Sequence, residues 1–87
     1  YDFSEATLTE LARAEARAGH TDNALALLSL NAEFYPASAS IALAQGDVHR
    51  QLGDTAAAVE SYRAALTRDS TLRVARQRLT ELTGPRR

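Results

Sequence analysis

Two histidines, His20 and His49, are the residues of this sequence best suited to acid–base or metal chemistry, and neither has the neighbours such chemistry needs. Metal-binding helices space their ligands as H-x3-H or H-E-x2-H, and hydrolase serines stand in a Gly-x-Ser-x-Gly elbow. Neither pattern occurs. Cysteine is absent, which removes disulfides and thiolate ligands without saying anything about compartment. The four glycines are dispersed, so no loop gathers backbone amides around a phosphate. His20 is therefore expected in a solvated turn and His49 on a helix-packing face. The sequence offers no catalytic residue, no metal site and no cofactor.

Charged residues carry more information. Thr9, Arg13 and Arg17 share one helical face by their i, i+4, i+8 spacing, and the residues thirty-four further on are Leu43, Asp47 and Gln51. Arg50 borders this set, and Gln77, Arg78 and Glu81 are placed to extend it. As a solvated face these residues would pair locally, Asp47 with Arg50, for a few tenths of a kcal/mol. As a groove they would meet a partner. The formal net charge of -1, with arginine as the only strongly basic residue, gives no reason to expect nucleic acid. No apolar run approaches the ~18 residues of a membrane-spanning helix.

With 87 residues, the chain is one small domain, burying roughly 60% of its unfolded surface. Its start at Tyr1 rather than methionine is expected of a domain from a longer protein. An offset of thirty-four aligns Gly19 with Gly53, Thr21 with Thr55, Ala24 with Ala58, Leu25 with Val59 and Leu28 with Tyr62. The same offset sets Pro36 over Ser70, each expected to open a helical segment. Leu8, Leu11, Ala12 and Glu15 recur at helical spacing up to Gly19, with Thr7 and Glu10 fitting a capping box. Ala24, Leu25, Leu28 and Ala32 form the next stripe, which should stop before Pro36. Helices over 40–52 and 55–68 repeat the pattern, the latter capped by Asp54. A fifth, starting near Ser70, turns Leu72, Ala75, Leu79 and Leu82 to one side and Arg73, Arg76, Gln77 and Thr80 to the others. Gly84 and Pro85 stop it.

These matches resemble the tetratricopeptide repeat, whose thirty-four-residue signature is W-x2-L-G-x2-Y, then A-x3-F, then P. The second unit has Gly46 and His49 at the Gly and Tyr places and Ala58-x3-Tyr62 for A-x3-F; the first has Leu8, Leu11, Ala12, Ala24-x3-Leu28 and Pro36. Ala42, Gln45 and Glu15 depart from the signature. The resemblance implies an all-α fold: a right-handed α-solenoid of two helical hairpins, 5–38 and 39–72, closed by a capping helix over 73–83. Its core would hold Leu11, Leu25, Leu28, Tyr62, Leu66 and Leu79, with Ala12 and Gly46 at the helix crossings. It further implies a non-catalytic interaction module whose inner groove is Thr9, Arg13, Arg17, Leu43, Asp47, Arg50, Gln51, Gln77 and Arg78. Its partner would be a peptide, a protein surface, its own parent catalytic domain or a second copy.

Asn31 stands where the repeat wants a small residue, within N-x-E-x-Y-P-x-S, and this segment resembles the C-terminal extension of some bacterial esterases and β-lactamase-like serine hydrolases. That resemblance implies an accessory domain whose catalytic residues lie upstream. Asn31 would then be structural, bonding a nearby backbone carbonyl, or functional. Tyr1 and Phe3 precede the first helix, so any docking or self-association is expected at residues 1–11 rather than on the arginine-bearing last helix.

Overall fold

The computed structural model describes residues 5–84 and is helical throughout its regular structure: α1 Glu5–Arg17, α2 Thr21–Phe34, α3 Ala39–Gln51, α4 Thr55–Arg68 and α5 Arg73–Thr83. The bounds of α1 and α2 recur thirty-four residues later in α3 and α4, and the start of α5 continues the series. The turns repeat bond for bond. Gly19 and His20 donate their amides to Ala16 and Glu15, and Gly53 and Asp54 donate theirs to Arg50 and His49, at 2.8 to 3.0 Å. Each pair closes the helix with a left-handed glycine, φ +90° at Gly19 and +80° at Gly53, which a side chain would resist.

Side-chain caps account for two of the helix starts. Asp54 accepts from the Ala57 amide at 3.2 Å and Ser38 from the Ile41 amide at 3.3 Å, each relieving one unpaired donor of a first turn. Three expected starts are corrected. Helix α1 begins at Glu5, so Thr7 lies inside it rather than capping it. Pro36 sits in the turn before α3, whose cap is Ser38. Ser70 caps nothing either, because the Asp69 carboxylate draws in both the amide and the hydroxyl of Thr71 and delays α5 to Arg73. Those two bonds, the hydroxyl's the stronger, hold the Asp69 carboxyl below its ordinary pKa.

Two apolar clusters tie the helices together. In the first, Ala12, Ala16, Ala24 and Leu28 of α1 and α2 receive Ile41, Ala44 and Val48 of α3. In the second, Ala42, Leu43, Ala58, Tyr62 and Ala65 receive Ala75 of α5, with Leu66, Leu72, Leu79 and Leu82 packed against them. The four residues expected to turn inward do so, Leu72 just ahead of the last helix and Ala75, Leu79 and Leu82 on it, while Arg73, Arg76, Gln77 and Thr80 are exposed. Leu28 and Tyr62 are fully buried, and Leu25, Leu66 and Leu79 are half-buried. Leu11 is not in the core: it is 48% exposed. Ala12, one residue and about 100° further round α1, takes the buried place instead.

Volume is exchanged across each hairpin. Ala12 shares its cluster with Leu28, whereas Gly46 stands against the larger ring of Tyr62. A Cβ at position 46 would lie 2.6 Å from Tyr62 Cε1 and 2.7 Å from Cδ1, so the tyrosine can occupy this place only because the side chain opposite is hydrogen.

Candidate functional site

Buried beneath the polar face, Tyr62 sends its hydroxyl from α4 to Asp47 Oδ1 on α3, 2.6 Å away. The other carboxylate oxygen, Oδ2, receives Arg13 Nη1 from α1 at 3.0 Å and Arg78 Nη1 from α5. One aspartate therefore joins four helices. Arg50 adds a bond to Glu81 Oε1 at 3.0 Å, and Gln51 Nε2 donates to the Ala16 carbonyl at 2.7 Å. Two guanidinium groups around one carboxylate leave a local excess of one positive charge, and all three side chains are between a fifth and a third exposed. Burial first, and then the bond to Asp47, push the Tyr62 pKa up to about 12. The Glu81 carboxylate, chiefly by its hydrogen bond, raises that of Arg50.

The nine residues expected to form a groove divide into three groups. Arg13, Asp47, Arg50, Gln51 and Arg78 make the polar seam just described. The expected local pair of Asp47 with Arg50 does not form, because both are engaged by other helices: Asp47 by Arg13 and Arg78, Arg50 by Glu81. Thr9 and Leu43 are buried, Leu43 in the second cluster and Thr9 against Asn31, whose Nδ2 donates to Thr9 Oγ1 at 3.1 Å. Asn31, itself fully buried, thereby links α2 to α1. Arg17 and Gln77 are exposed. Arg17 borders a hollow of about 100 Å³ with Arg13, Ala16, Ala44, Asp47, Val48 and Gln51, well below the ~300 Å³ at which ligand pockets begin. His20 is exposed, as expected of a turn residue, and pairs with Glu15 at 3.3 Å.

A second surface lies on the first hairpin, and reasoning from charged residues passed it by. Leu8 and Leu11 of α1 face Leu27, Leu30 and Phe34 of α2, with Tyr35 at the end, around a hollow of about 570 Å³. Phe34 is 68% exposed, Leu30 45% and Tyr35 38%. Among the described residues, no polar side chain other than the Tyr35 phenol lines it. A shallower depression continues from Leu11 and Leu27 to Ala26, Asn23 and Glu15.

The repeat itself held the signal for this face. Thirty-four residues after Leu8, Leu11, Leu27, Leu30, Phe34 and Tyr35 come Ala42, Gln45, Ser61, Ala64, Arg68 and Asp69. The second hairpin has small or polar side chains at these positions; in the first, Leu8 is buried and Leu27 packs against the first cluster, while Leu11, Leu30, Phe34 and Tyr35 stand exposed. Leu8 and Leu11 fall within the expected docking stretch, residues 1–11; Tyr1 and Phe3 lie outside the described residues. No family model matches the sequence, and no curated protein matches it either.

Proposed function

We propose that this chain is a non-catalytic protein-interaction module of the tetratricopeptide kind, a right-handed solenoid of two hairpins closed by α5, and that it docks a protein through the apolar face of its first hairpin. The thirty-four-residue periodicity of helices and turn bonds supports the repeat. The observation that carries the interaction is the face lined by Leu8, Leu11, Leu27, Leu30, Phe34 and Tyr35, a contiguous apolar surface of the sort that marks association sites. The polar seam supports a different role. Its charges are already engaged within the chain, so a partner there would have to displace bonds before making its own.

A photo-reactive phenylalanine analogue at position 34, compared with one at position 17 beside the seam, tests the assignment in the cells that make the protein. Cross-links to a protein from position 34 and none from 17 are expected. The reverse pattern would transfer the interaction to the seam, and silence at both positions would end the proposal.

A further inference from the structure

We draw no further inference here: the strongest candidate, the apolar surface patch between α1 and α2 where Leu11, Leu30 and Phe34 stand exposed, carries nothing beyond the reading above because nothing in the structure shows what covers it.

Discussion

The polar seam and the apolar face share helix α1 and place their residues in opposite circumstances. On the seam, Arg13, Asp47, Arg78 and the Tyr62 hydroxyl satisfy one another across four helices. On the face, Leu11, Leu30 and Phe34 have no such covering partners among the described residues and are 45% to 68% exposed. Charged residues at helical spacing are the conspicuous candidates in a sequence of this kind, yet here they bind the helices of the chain to each other. The exposed apolar residues of the first hairpin are the ones left available. The difference teaches that aligned polar residues can be used up in holding helices together, whereas a departure of the repeat from its own pattern leaves apolar side chains uncovered.

Breaking the seam at its buried end should have the largest effect. Tyr62→Ala removes a fully buried ring together with its bond to Asp47, and should cost about 3–5 kcal/mol in chemical denaturation. Gly46→Ala attacks the same place from the other side: the clash with the ring should outweigh the helix-propensity gain of ~1 kcal/mol and leave a net loss. That loss should shrink in a Tyr62→Leu background. An unchanged cost there would mean that the ring is not the obstruction.

High pH probes the same tyrosine without a substitution. Unfolded, Tyr62 gives up its proton near its ordinary pKa of about 10, while in the fold it keeps it up to about 12. Between those values the folded chain binds more protons than the unfolded one, so stability present below pH 10 is lost as pH rises towards 12. The shift corresponds to about 2–3 kcal/mol. Denaturation midpoints of the wild type and Tyr62→Phe, followed from pH 9 to 12, check this. The extra fall should belong to the wild type, and parallel curves would contradict it.

Asp47→Asn should have a smaller effect, about 1–2 kcal/mol, because Arg13 and Arg78 are each about a third exposed and water can replace part of what the carboxylate supplied. Arg50→Ala, at a pair more than 40% exposed on both sides, should stay below ~1 kcal/mol in the same unfolding assay. A larger loss at Arg50 than at Asp47 would show that the second pair, not the aspartate, holds the seam together.

Much of this was legible before the fold was known. Gly19 and Gly53 marked two helix ends, Asp54 a cap, and Ala75, Leu79 and Leu82 the inner side of α5, because each follows from backbone geometry or spacing along one helix. What was not legible depended on position between helices. Periodicity places Leu11 and Ala12 on opposite flanks of the line through Leu8, and only the packing of α3 decides that the alanine goes inside. Asp47 has Arg50 within reach along its own helix, but Arg13 and Arg78 are brought to it by neighbours thirty-four residues before and thirty-one after. The apolar face was written in the contrast of Leu30 with Ala64 and Phe34 with Arg68, which is visible once the two units are compared for their differences rather than their matches.

The smallest expected effect on stability is also the sharpest separation of the two regions. Phe34 is 68% exposed at the end of α2, so Phe34→Ser removes a ring that few neighbours hold, and serine near a helix C-terminus is tolerated at modest propensity cost. The substitution should change unfolding free energy by no more than ~0.5 kcal/mol, as surface changes usually do. Because the ring stands largely in water, the variant should also become more soluble and bind less of a polarity-sensitive dye in the folded state. Tyr62→Ala should behave the other way, losing stability and taking up more dye as its packing loosens. If Phe34→Ser instead lowers stability by 2 kcal/mol or more, a number on the scale of a core truncation, the ring belongs to the packing of this chain, and the contrast between an engaged seam and an available face fails.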